Sequence, residues 1–140
     1  MYNGGGSVES FNHFGAIATE FDRLQALAVS KTCFDLEAAM KAKIRANGQV
    51  DTGFMVNTVY TRTYDSSDYS ATGKDAMPEV ERPPNNKTGY VGVAASYGYW
   101  QNYGTHLIPA RPFVEPSVEL VRSDFEAALS AIEAKLGAVK

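Results

Sequence analysis

Residues able to do chemistry are few in this chain, and they stand apart. His13 and His106 are its only histidines and Cys33 its only cysteine. Neither histidine has a serine, cysteine or carboxylate that the sequence can place beside it, as nucleophilic catalysis requires. Two histidines and one cysteine also fall short of the four ligands that a structural zinc site uses. Asp51, in Asp51-Thr52-Gly53, lacks the second carboxylate that paired acid–base work needs. Gly89-Tyr90-Val91-Gly92 has the opening of a dinucleotide-binding turn, without the third glycine or the following helix. Asn86-Lys87-Thr88 fits a glycosylation acceptor, but no secretion signal gives it that context. We therefore assign no catalytic, cofactor-binding or metal-ligating residue and read the chain as non-enzymatic.

Aromatic and proline clusters carry more information. Tyr97-Gly98-Tyr99-Trp100-Gln101-Asn102-Tyr103-Gly104-Thr105 places four rings within seven residues. A stacking platform for single-stranded nucleic acid needs cations among its rings. No Lys or Arg lies between Lys87 and Arg111, so that reading fails. A tightly turned core segment and a subunit interface remain. The second is preferred, with Tyr99 and Trp100 as anchors, because Tyr and Trp are enriched where proteins meet. Downstream, Pro109-Ala110-Arg111-Pro112-Phe113-Val114-Glu115-Pro116 fixes an extended path, since each proline disfavours the α region for the residue before it. Phe113 and Val114 should anchor that path to the core. Arg111 is then held stiffly, ready for a carboxylate on this chain or a neighbour.

The elements that must position these clusters follow from periodicity. At 140 residues the chain fits one domain. A net charge of −3 and scattered basic residues argue against a grip on phosphates. No run of 18 apolar residues occurs, the N-terminus lacks the pattern of a signal peptide, and a single cysteine excludes an internal disulfide. The expectation is a soluble, intracellular protein. Residues 1–13 read as a flexible arm and 14–140 as one α+β domain. Steps of three and four from Ile17 to Ile44 predict a helix over 14–46, with a break near Ser30–Thr32 left open. Asp51-Thr52-Gly53 reads as a turn that starts a short helical turn through Phe54–Asn57. β-branched and aromatic runs predict strands over 58–64 and 90–95, in a small antiparallel sheet. Between them, 65–88 is an inserted loop too long for a simple connection, with Tyr69, Met77 and Val80 as anchors for a partner. A last helix is expected over 116–136, with Pro116 in its first turn.

In their order and spacing these pieces resemble the tail-completion, or head–tail joining, proteins of lambdoid long-tailed bacteriophages, over about residues 14–136. The resemblance is carried by Asp51, Thr52 and Gly53, by Tyr97, Tyr103, Gly104 and Thr105, and by Ala110, Arg111, Pro112, Phe113 and Pro116. The chain departs from the family at Asn102, where many members carry Glu, and in its longer 65–88 loop. What the resemblance implies is a structural virion protein without cofactor, forming a ring, typically hexameric. Its partners would be itself, the tail-tube protein and the head connector, with DNA a passive passenger and no membrane involved. Such a protein is assembled in the bacterial host cytoplasm and ends in the virion neck. Tail terminators and head-closure proteins share this architecture and are the alternative; a small non-viral binding module is a further one.

Overall fold

A computed structural model describes residues 4–49 and 53–137, with side chains described within 15–49 and 53–135. The architecture is α+β, as expected. In order along the chain come α1 (Gly4–Ala46), α2 (Phe54–Asn57), β1 (Val59–Arg62), β2 (Tyr90–Val93), α3 (Gly98–Tyr103) and α4 (Val114–Gly137). α1 begins earlier than the predicted Phe14 and runs through Ser30–Thr32 without a break. α4 begins two residues before Pro116, and the stretch before it contains a helix, α3, where the sequence suggested irregular chain.

α1 is the scaffold. At 1.5 Å per residue its 43 residues span roughly 65 Å, far more than the sheet beneath it. Cys33, Glu37, Met40 and Ile44, at steps of three and four, are buried. Met40 and Ile44 join Met55, Val56, Val59, Ala95 and Phe113 in the main core. Burial pushes the Cys33 thiol above its ordinary value, as suits a small core residue. α4 packs against α1, and beside their seam Ala39, Ala42 and Ala46 share a shallow surface groove with Pro116, Ser117 and Leu120. At the far end of α4, Lys135 Nζ lies 3.8 Å from Glu20.

The sheet has two antiparallel strands, with Val59 opposite Val93 and Arg62 opposite Tyr90. Two strands alone are marginal in water. α1 covers one face, and close approach there requires Gly89, whose added Cβ would collide with Cys33 Sγ. The 65–88 segment covers the margins. On the open side of β1, Thr61 N donates to Asp68 Oδ1 at 2.6 Å and Asp68 N returns to Thr61 O at 3.2 Å. Beyond β2, Met77 N donates to Ala94 O at 2.6 Å. Tyr69 stacks edge-on against Tyr60 at 5.0 Å, and the Tyr60 hydroxyl accepts from Val80 N at 3.1 Å. Pro83 is fully buried. The loop is thus part of the fold, and Tyr69 spends its ring on this chain while Met77 and Val80 stay exposed.

One buried carboxylate joins helix, sheet and loop. Glu37 Oε1 accepts from Thr61 Oγ1 at 2.8 Å, and Lys41 reaches Oε2 at 3.1 Å. Burial, then the neighbouring Asp68 carboxyl, raises the Glu37 pKa above its ordinary 4.5. A folded state that holds this proton more tightly than the unfolded chain gains stability below pH 4.5 and loses it as pH rises through the raised value. Glu37→Gln keeps the acceptor for Thr61 and cannot ionise. We expect its urea midpoint at pH 7 to equal or exceed that of the unaltered protein. The advantage should vanish below pH 4.5, and a midpoint that falls at pH 7 would contradict it.

Candidate assembly surface

The aromatic cluster is the best-defined candidate surface, since the described histidine, cysteine and acids do not gather. Among the described residues no group of three or more His, Cys, Asp or Glu could hold a metal ion. Cys33 is buried and His106 exposed on a loop.

α3 sorts its residues by helical geometry. Gly98 and Asn102, four apart, face inward and are buried. A Cβ on Gly98 would stand 3.0 Å from Val93 Cγ1, so glycine lets the helix lie close against β2. Tyr97, before the first turn, packs on the core with its ring 6.3 Å from Phe54. Tyr99, Trp100 and Tyr103 point outward, 67%, 50% and 55% exposed. Tyr99 meets Tyr103 at 4.8 Å and Trp100 edge-on at 6.2 Å. Trp100, Tyr99 and Tyr103 are therefore surface residues, while Tyr97 of the same cluster belongs to the core.

Asn102 holds that surface rigid. Its Oδ1 accepts from Phe113 N at 2.8 Å and Val114 N at 3.0 Å, satisfying amides at the start of α4. Its Nδ2 donates to Glu115 Oε2 at 3.1 Å. Glu115 is held below the usual carboxylate range, first by the Tyr103 hydroxyl, and the same contact pushes the Tyr103 phenol up. Phe113, 1% exposed, drives the proline-rich segment into the core. Pro112 O and Arg111 O accept from Asn47 Nδ2 at 3.0 and 3.3 Å, and Arg111 N donates to Gln101 O at 3.0 Å. Arg111 itself is exposed and has no ion-pair partner among the described residues.

The loop after α3 is equally constrained. Gly104 adopts φ 78° and ψ 172°, where a side chain is strained. Thr105 Oγ1 accepts from Leu107 N and Ile108 N, each at 3.1 Å, closing a turn that leaves Leu107 81% exposed. The Ala110 backbone runs close to Gly104: its N would lie 2.6 Å from an added Cβ.

The structure therefore brings Tyr97, Tyr103, Gly104, Thr105, Ala110, Arg111, Pro112, Phe113 and Pro116 into one region around α3 and the start of α4. Gly53, at φ 81°, precedes α2 as the turn reading predicts, while Asp51 and Thr52 lie outside the described residues. Met77 and Val80 belong to the separate sheet-edge loop. Asn102 was missed as a structural linchpin, because its partners stand 11 to 13 residues away and leave no local pattern. Compared with known proteins, the chain matches no protein-family model, no curated protein and no solved structure.

Gly104→Ala tests the constraint on the loop. Its Cβ would meet Ala110 N at 2.6 Å and Ile108 O at 2.9 Å, both backbone atoms that cannot swing away. The strained conformation alone costs on the order of 1–3 kcal/mol. Chemical denaturation should show at least that loss, and a neutral substitution would contradict the geometry.

Proposed function

We propose that this protein is a structural, non-enzymatic assembly protein that forms a homomeric ring, most specifically a ring of six at the head–tail junction of a long-tailed phage. The observation that carries the assembly reading is the outward set Tyr99, Trp100 and Tyr103 on a helix braced by Asn102 and Gly104. Rigid, half-exposed Tyr and Trp, with an Arg alongside that has no ion-pair partner among the described residues, match the residue types that dominate binding energy at interfaces. The phage reading is supported by the resemblance over Asp51–Gly53, Tyr97–Thr105 and Pro109–Phe113. Partners on this reading are other copies, the tail tube and the head connector.

Charge accords with a conduit. Six copies at −3 each would carry about −18, and a lumen lined by that average surface repels phosphates, so DNA slides without being gripped.

Sedimentation velocity and electron microscopy of the purified chain, alone and with tail tubes, test the ring directly. A defined ring is expected, and a chain that stays monomeric at high concentration in both settings overturns it. Trp100→Ala should cost on the order of 2 kcal/mol or more in association while leaving the monomer's melting temperature nearly unchanged. A large loss of monomer stability would instead show that Trp100 acts within the monomer's own fold and not at an interface.

The 65–88 segment offers a second contact, for a neck or tail partner rather than a sibling subunit. Because it guards the sheet, its role is best tested at its exposed tips. Met77→Ser with Val80→Ser should leave folding intact and lower the yield of joined heads and tails. Normal joining by this variant would remove the segment from assembly.

A further inference from the structure

Ion pairing is uneven over this molecule. Along the helices cations meet partners: Arg23 bonds Glu20, Lys31 bonds Asp35 and Arg122 bonds Glu119. At the C-terminal end of α1 the pattern reverses. Lys43, Arg45, Lys74 and Arg111 have no ion-pair partner among the described residues. Arg111 and Lys74 line the same cleft of about 640 Å³, together with Asp75 and with Gln101 of α3. The exposed rings of α3 therefore share their end of the molecule with cations that form no ion pair among the described residues, although Asp75 and Glu115 lie in the same region. An apolar centre with a charged rim is the anatomy of an interface.

The complementary surface lies on the same chain but elsewhere. Glu126 and Glu133, seven apart, fall on one outward face of α4, and neither has an ion-pair partner among the described residues. Glu133 sits two residues from Lys135, which meets Glu20 of α1. Along α4, Glu126 and Glu133 stand roughly 18 and 29 Å from the helix start beside Arg111 at 1.5 Å per residue. Charges more than two Debye lengths of about 8 Å apart attract each other little within one molecule. Only a second copy can bring the two surfaces together.

We propose that the α3 end of one copy docks on the outer face of α4 of the next, with Arg111 and Lys74 meeting Glu126 and Glu133 around buried Tyr99 and Trp100. This deepens the ring reading and rests on it. Because the two patches differ and lie far apart, the contact is heterologous, the type that generates rings rather than closed pairs. It also gives Arg111 a carboxylate, which it lacks among the described residues. The stiffness of its segment then serves to present the guanidinium at a fixed angle, which suits two-pronged recognition of a carboxylate.

Charge exchange tests the pairing. Three full-length variants are needed: Arg111→Glu with Lys74→Glu, Glu126→Lys with Glu133→Lys, and all four together. Association is followed by sedimentation velocity at low and high salt, with circular dichroism to confirm that each variant keeps its helices. Each double variant alone should associate about tenfold or more weakly than the unaltered protein, which itself should weaken with salt. Mixing the two double variants, or combining all four changes in one chain, should restore association. If the unaltered protein forms its ring and the folded double variants do so equally well, this docking is overturned and the ring reading survives. Weakened double variants that fail to rescue each other on mixing also overturn the pairing. A chain that is monomeric throughout removes both.

Discussion

A single buried amide sets the geometry on which the functional end of the molecule depends. Asn102 accepts two backbone hydrogens at the entry to α4 with one atom and grips Glu115 with the other. Left without that acceptor, Phe113 N, buried beneath the proline-rich segment, would lose its bond and cost about 1–3 kcal/mol. The amide also fixes how far α3 stands from α4. The display of aromatic side chains, the course of the Arg111 segment and the start of the last helix are therefore one mechanical unit. Phe113 supplies the force that seats this unit, since burying a side chain of its size is worth about 1.5–3 kcal/mol.

The sheet beside it is organised by α1 and by the long connection. Two short strands would not persist unaided, and here they are held between a helix and a loop that bonds to both margins. Glu37 shows how tightly these parts are meshed, because one carboxylate serves a helix lysine and a strand hydroxyl beside a loop acid. Its raised pKa marks a site where connection between elements was kept at some expense in neutral-pH stability. Arg62 reports a similar compromise: its Nε lies 3.9 Å from Glu79, a charge contact without a hydrogen bond.

What the sequence made legible was whatever repeats locally. The steps of three and four in α1 and α4, the β-branched strands and the glycine turn before α2 all leave a signature within a few residues. α3 did not, because Gly98, aromatic residues and Asn102 are indifferent helix formers. Its six residues are held helical by distant partners, Gln101 O by Arg111 N and the Asn102 side chain by α4. The outward rings were therefore legible as a cluster but not as a helix face. The unpaired cations were invisible for the same reason, since a lack of partners is a property of three-dimensional arrangement. The role of 65–88 was legible only as an excess of length, not as a cover for strand edges.

The packing of α1 against α4 sets the order in which this protein can be made. α1 emerges from the ribosome before α4, and about 70 residues separate its end from the start of α4. At synthesis rates of about 5–20 residues per second, that interval lasts roughly 4–14 s. During it, the stripe on α1 that will receive α4 has nothing of its own chain to lie against. A nascent chain in this state is an adhesive helix, able to pair with the same helix on a neighbouring polysome. Beside that stripe α1 carries Ala39, Ala42 and Ala46, which add little apolar area per turn and so keep such early encounters weak. Small side chains at the margin of the seam thus make the waiting period safer.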